Sequence, residues 1–251
     1  MKMLLPFIAE TFPGVIWRME IDSLSETIFM EIRDTGDKKV SFASVDLLSG
    51  KTNFTGVTTP ERWLTGMEAA YDGILLLHNY QSEGAPVHKG VIAINNKATI
   101  CWSNYTYAFD HLTVNGPILY SVQIQPKKLF LADIKTGTSI RPYEPAIDTE
   151  PENHIEVPQI VPPSYLKQTL PIEPHGDIIH YFEHNNFRIV SLHSFKAGQL
   201  KQHLYIIDDG VIVYDDLLNA DIQKLQPESF IIYKNSLIYI KNKSELKVLN
   251  L

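Results

Sequence analysis

The sequence predicts an all-β chain assembled from one repeated antiparallel unit. Three observations carry that expectation. The apolar runs are four to nine residues long and rich in Val, Ile, Tyr, Phe and Thr, which suits strands and is too short for ordinary helices. The first of them alternates apolar and polar residues with a period of two. Tight polar turns recur at intervals close to the length of a four-stranded repeat.

Taken in order, residues 14–22 place Val15, Trp17, Met19 and Ile21 on odd positions and Arg18, Glu20 and Asp22 on even ones, the pattern of a strand with one covered face. Further strands are expected over residues 27–32, 40–45, 74–77, 90–94, 118–124, 129–134, 187–192, 204–207, 211–214, 230–233 and 237–240. Residues 60–70, with Glu61, Trp63, Leu64, Met67 and Glu68, carry the one helical spacing, enough for a turn or two. Cys101, between Ile100 and Trp102, is expected on a strand as a buried, inert thiol. Tyr105, Tyr107 and Phe109 share one face of the same expected strand, where core packing is the simplest role for them.

Residues 142–174 hold eight of the 15 prolines. Proline withholds a backbone donor and fixes φ, so this segment should form no central strand and should run extended over the surface. Glu144, Asp148, Glu150, Glu152, Glu156 and Glu173 against Lys167 make it acidic. Ile155, Val157, Ile160, Val161, Tyr165, Leu166 and Leu170 should pin it to its own domain, with residues 155–165 partly buried.

The repeat is a strand, a tight polar turn and a second strand. With residues 50, 97, 137, 198 and 244 as turn anchors, the intervals are 47, 40, 61 and 46. Three of them match a blade of about 40–50 residues, and the long one contains the Pro-rich insertion. Gly50, Gly137 and Gly198 suit a turn that needs positive φ, whereas the second and fifth units carry Asn-Asn-Lys and Asn-Lys-Ser. The expected architecture is a single five-bladed, β-propeller-like domain over residues 1–251. Its fifth unit shows three strands, beginning near Phe230, Leu237 and Leu246, so strand 14–22 is expected to complete that blade and close the ring.

Asp46-Leu-Leu-Ser-Gly-Lys and Asp133-Ile-Lys-Thr-Gly-Thr, each after an apolar strand, resemble the repeat of quinoprotein-like and WD40-like β-propellers. As a whole the chain resembles a bacterial family of propeller-like proteins of unknown function. The resemblance implies a hairpin per blade and no activity. The chain lacks the adjacent cysteines and the length of the quinone-binding enzymes, so no cofactor is expected.

Composition narrows the partners. Twenty-two Lys and Arg against 29 Asp and Glu give a net charge of −7, the wrong sign for nucleic acid. No stretch approaches the ~20 apolar residues of a membrane span. Pro6 interrupts the apolar run from Met3, and Glu10 ends it before any cleavage signature, so no signal peptide is expected. Together with a single cysteine, this points to the cytoplasm.

His175, Asp177, His180 and His184 form the densest cluster of ligand-type side chains, and Glu31 with Arg33 is a charged pair in an otherwise apolar strand. These six are the candidate ligand-binding residues. On a helix His180 and His184 would share a face; on a strand they lie about 13 Å apart, too far for one ion, and the surrounding residues favour a strand, so no metal is expected. Asp208-Asp209-Gly210 reads as a hairpin rather than a calcium loop. No nucleophile elbow, phosphate loop, zinc-protease motif or dinucleotide fingerprint occurs. The expected function is therefore a non-catalytic binding or scaffold module for a protein or small-molecule ligand. The alternative is a hydrolase or lyase with a polar site at the mouth of the central channel.

Overall fold

The computed structural model describes residues 3–166 and 168–251; Lys167, the one base expected in the acidic insertion, lies outside them. The chain is all-β, with five antiparallel sheets and no α-helix among the described residues. Among the described residues no helix is long and apolar enough to cross a membrane. Contacts group the chain into two compact units, residues 13–153 and residues 154–251 with the N-terminal segment up to Phe12.

The chain opens with β1 (Ile8–Thr11), and three four-stranded sheets follow in sequence order. The first contains β2 (Val15–Asp22), β3 (Thr27–Asp34), β4 (Lys39–Asp46) and β5 (Thr52–Val57). The second contains β6 (Thr65–Tyr71), β7 (Ile74–Ser82), β8 (Ala85–Asn95) and β9 (Ile100–Asn104), and the third β10 (Tyr107–Thr113), β11 (Gly116–Ser121), β12 (Leu129–Ala132) and β13 (Ser139–Pro142). Their central strands are covered on both faces, which is why they read as continuous apolar runs. In β7, Leu75 and Leu77 pack with Phe29, Phe42 and Met67, while Ile74 and Leu76 point the other way and pack with Leu119 and Ala132. Each such side chain contributes about 1.5–3 kcal/mol by leaving water.

The second unit adds β14 (Ile155–Glu156), β15 (Gln159–Val161), β16 (Ile179–His184), β17 (Phe187–Lys196), β18 (Gln199–Asp208), β19 (Val211–Ile222), β20 (Ile231–Tyr233), β21 (Ser236–Lys241) and β22 (Glu245–Asn250). Strands β15 to β19 form one sheet in order; the other runs β1, β22, β21, β20, β14. The strand that completes the C-terminal sheet is thus β1, with Ile8 opposite Val248 and Thr11 opposite Glu245. Residues 14–22, expected in that place, pair with β3 instead. Sequence pattern alone favoured the longer alternation, but the short β1 buries Ile8 and leads into buried Phe12.

Several local expectations need correction. Residues 60–70 form no helix: Thr65 begins β6, because the apolar β7 requires a partner along its length and tertiary pairing overrides local spacing. Tyr105 sits in the turn between β9 and β10, and only Tyr107 and Phe109 pack into the core. Cys101 is exposed because β9 is the edge of its sheet.

The turns behave as their chemistry requires, though not all in the same place. Asp46 Oδ1 accepts from the backbone N–H groups of Leu48 and Ser49, and Asp133 Oδ1 from those of Lys135 and Thr136. Gly50 and Gly137 follow at φ 71° and 70°, each donating to the carbonyl of its Asp. In the second unit of the repeat Ala98 takes the positive φ, and in the fifth Asn242 and Lys243 do. The turns at residues 50, 97 and 137 join third to fourth strands, whereas Gly198 joins β17 to β18 and Ser244 lies between β21 and β22. The turn that follows β18 is Asp209-Gly210, the expected hairpin.

The Pro-rich segment forms edge strands only. β14 pairs with β20 and β15 with β16, so two short pieces of one segment hold the edges of two sheets. Ile155, Val157, Ile160 and Tyr165 are exposed, contrary to the burial expected over residues 155–165. Backbone pairing holds that part, and Val161, Leu166, Leu170 and Ile172 supply the apolar contact, packing against Ile179, Tyr181, Val190 and Leu192.

Candidate functional site

A shared irregularity marks the first strands of the three sheets in residues 13–153. In β2, Ile16 faces Ile32 and Arg18 faces Glu31, leaving Trp17 as an extra residue. In β6, Met67 faces Leu77 and Ala69 faces Leu76, so Glu68 is extra. In β10, Phe109 faces Leu119 and His111 faces Ile118, so Asp110 is extra. A bulge breaks the alternation of faces and re-aims one side chain. Three bulges at matching places therefore present Trp17, Glu68 and Asp110 from open sheet edges. The corresponding strands of the other two sheets, β16 and β20, have regular ladders to the strands that follow them and are covered by β15 and β14.

Around Glu68 the structure assembles a polar cluster from three adjacent strands. Glu68 Oε1 lies 2.9 Å from His88 Nδ1 and 3.2 Å from His78 Nδ1. The two imidazoles stack with centroids 3.5 Å apart and planes 7° from parallel, and Tyr80 meets both edge-on. His88 is 40% exposed and His78 2%. The short approach of His78 to Glu68 lacks hydrogen-bond alignment, so both buried ring nitrogens of His78 are without a hydrogen-bond partner. Leaving such a group unpaired costs about 1–3 kcal/mol. Gly66, opposite His78 in the ladder, makes room for the ring: a Cβ there would lie 2.8 Å from Cε1 and 2.9 Å from Nε2.

Two arginine–glutamate pairs buttress this cluster. Glu31, buried in β3, accepts from Arg33 Nε at 2.6 Å and, through its other oxygen, from the backbone N–H of Met67 at 2.9 Å. The Arg33 guanidinium lies between Trp17 and Trp63, 5.3 and 5.1 Å from their rings. Arg18 donates to the carbonyls of Met67 at 2.6 Å and Glu68 at 3.0 Å, and to Glu20 Oε1 at 2.7 Å. Side chains of the first sheet thus clamp the backbone on which Glu68 is presented. Burial holds the Glu20 carboxyl above its ordinary range; Arg18 opposes this and the charge of Glu68 adds to it. At the third bulge, burial works against ionisation of Asp110, but its bonds to Lys127 and His111 prevail and hold its carboxyl low.

Of the residues singled out from sequence, Glu31 and Arg33 enter this assembly, and they pair within their own strand. The histidine segment lies elsewhere. His180 and His184 fall on β16, as the strand reading required; His180 is buried with Nε2 3.0 Å from the Pro227 carbonyl, and His184 Nε2 lies 3.3 Å from Asn235 Oδ1. His175 and Asp177 are exposed before the strand. Buried His193 accepts from the Gln226 N–H, and burial with nearby histidines brings its pKa down to about 4. Among the described residues one group of three ligating side chains converges, Glu68, His78 and His88, and none of the sequence candidates belongs to it. Its only trace in the sequence is a spacing of ten residues between successive members, one hairpin apiece.

The profile of a family described as a domain of unknown function (DUF4905) matches residues 21–102. That stretch contains Glu31, Arg33, Glu68, His78 and His88. No curated protein matches the sequence. Among solved structures, an exo-β-1,3-galactanase from Phanerochaete chrysosporium, with β-1,3-galactotriose, is similar at 11% identity and a TM-score of 0.31 over 97% of this chain and 64% of that one. The chain therefore spans under two thirds of that protein, and the likeness carries no argument.

Proposed function

We propose that this chain is a ligand-binding module, with its five sheets as the blades of a propeller-like domain and its site on the bulged strands of residues 13–153. The support for the blades is that each sheet is built on sequence-consecutive strands, with β1 and β14 added at the two edges of the last. One observation carries the functional reading: the bulge at Glu68 faces a half-exposed His88 and a buried His78 whose ring nitrogens make no hydrogen bond, an arrangement that leaves polar capacity unspent. The ligand this site suits is a small polar molecule that bonds to Glu68 and His88 while an apolar face rests on Trp17, which is 66% exposed. Nucleic acid and membrane are not proposed as partners, and a reducing cytoplasm suits the free, exposed Cys101. An enzymatic reading, hydrolase or lyase, draws on one further feature: the Glu20 carboxyl, held high, shares the site with Glu68.

The test is a thermal-shift screen of polar small molecules against the full-length protein, with and without chelator, repeated on Glu68→Gln and His88→Asn. Compounds that raise the melting temperature of the wild type and fail on both variants support the reading. A screen without hits, or hits indifferent to both substitutions, overturns it. Conversion of a hit to product would favour the enzyme.

A further inference from the structure

We infer that Glu68, His78 and His88 form a binding site for one divalent first-row transition ion, with Zn²⁺ the best fit. This rests on the reading of the same site as functional and names what anchors its ligand. Two imidazoles and one carboxylate are the donor set for zinc and its neighbours, whereas calcium and magnesium need six or more oxygens. A nitrogen from each histidine and a carboxylate oxygen lie within 4.8 Å of one another. The carboxylate-to-nitrogen separations of 2.9 and 3.2 Å are a few tenths short of the roughly 3.4 Å between ligands of a tetrahedral ion at ~2.1 Å, so the cluster needs little expansion. Three protein ligands leave a fourth position open, on the side where His88 meets solvent.

A second observation is independent of the clustering. His78 is 2% exposed, and neither of its ring nitrogens makes a hydrogen bond. A buried imidazole in that state is destabilising, and an ion would satisfy the nitrogen that faces Glu68. Packing and backbone bonds hold the donors in place: Gly66 gives the His78 ring its room, Tyr80 abuts both rings, and Arg18 and Glu31 hold the bulge through the backbone of Met67 and Glu68. One adjustment is needed. Stacked rings 7° from parallel send their in-plane lone pairs side by side, so the exposed His88 must tilt away from His78 for both to reach one ion.

The test is titration of chelator-stripped full-length protein with Co²⁺ followed by visible absorption, and with Zn²⁺ by calorimetry. We expect one equivalent of each, with the d–d bands of a four- or five-coordinate cobalt ion. Glu68→Gln and His88→Asn should each weaken binding more than the roughly 10–100-fold that outer-shell changes cost. His184→Asn, on a different sheet, should leave it unchanged. Circular dichroism and melting establish that the variants fold; His88 is exposed enough that its variant should. Absence of a one-equivalent phase, or binding that survives both substitutions, overturns the site and assigns any residual metal to other histidines. Organic ligands that bind metal-free protein through Glu68 and His88, without any cobalt phase, would overturn this inference alone and leave the binding-module reading standing.

Discussion

Replacing Glu31 by Ala tests whether the clamp beneath the site is structural in the way the geometry says. The Glu31 side chain is 2% exposed, and it holds Arg33 through Oε1 at 2.6 Å and the Met67 amide through Oε2 at 2.9 Å. Removing it orphans a buried amide, worth about 1–3 kcal/mol, and breaks a largely buried ion pair, worth about 3–5 kcal/mol. One carboxylate serves both, so the two figures overlap. Arg33 keeps 14% exposure and two tryptophan faces, which relieve its uncompensated charge and place the expected loss near the lower end, about 3 kcal/mol. Against a total stability of roughly 5–15 kcal/mol this is a large fraction. Urea unfolding followed by tryptophan fluorescence reads it directly, because Trp17 and Trp63 flank the pair. Glu31→Gln, which keeps an acceptor for Met67, should lose less, about 1.5–3 kcal/mol. The double variant Glu31→Ala/Arg33→Ala should be more stable than the sum of the singles. A loss below about 1 kcal/mol for Glu31→Ala, or strict additivity, would refute the clamp.

Three further outcomes follow from the packing and pairing of other residues. Gly66→Ala should cost about 1–3 kcal/mol by overpacking and shift the His78 ring resonances; unchanged spectra would show that the ring is not seated against Gly66. His193, with a folded pKa of about 4, binds its proton less readily folded than unfolded, so its contribution to stability is present above the ordinary histidine range and lost as pH falls through it toward 4. His193→Gln, which keeps an acceptor for the Gln226 amide, should flatten melting temperature against pH in that window, and an unaltered slope would count against the burial. Deleting the first twelve residues removes β1 with buried Ile8 and Phe12, so the C-terminal sheet should exchange its amide protons faster and the protein should melt lower; a deletion that melts like the full chain would show that β1 is dispensable.

The strands were legible because their chemistry is local. Period two in residues 14–22, and the Asp-x-x-Ser/Thr-Gly turns whose two examples adopt the same hydrogen bonds, need no knowledge of distant residues. What depended on partners was not legible. A four-residue strand such as β1 carries too little pattern to compete with its eight-residue neighbour, although it is the one that pairs with β22. Placing turns by composition alone also shifted the fourth and fifth units by one hairpin, because Gly198 and Ser244 mark turns as good as those at 50 and 137.

The candidate site was hidden for a deeper reason. Sequence reading assigns faces by counting in twos, and each bulge breaks the count at the residue that matters. Glu68 lay inside a stretch with helical spacing, and Trp17 counted as one more apolar residue on the covered face, yet the ladder makes each of them the extra residue. His78 and His88 followed at intervals of ten, which mean nothing until β6, β7 and β8 are known to be adjacent. Of the six candidate residues only Glu31 and Arg33 belong to the assembly, and they stood out because charge in a strand buried on both faces is costly wherever it occurs. Their role in turn depends on Met67, whose amide Glu31 holds from another sheet. The charge that could be noticed supports the bulge, and the bulge presents the group that could not. A search for sites in chains of this kind should therefore begin with unexplained buried charge in central strands and follow its hydrogen bonds to the irregular backbone it secures.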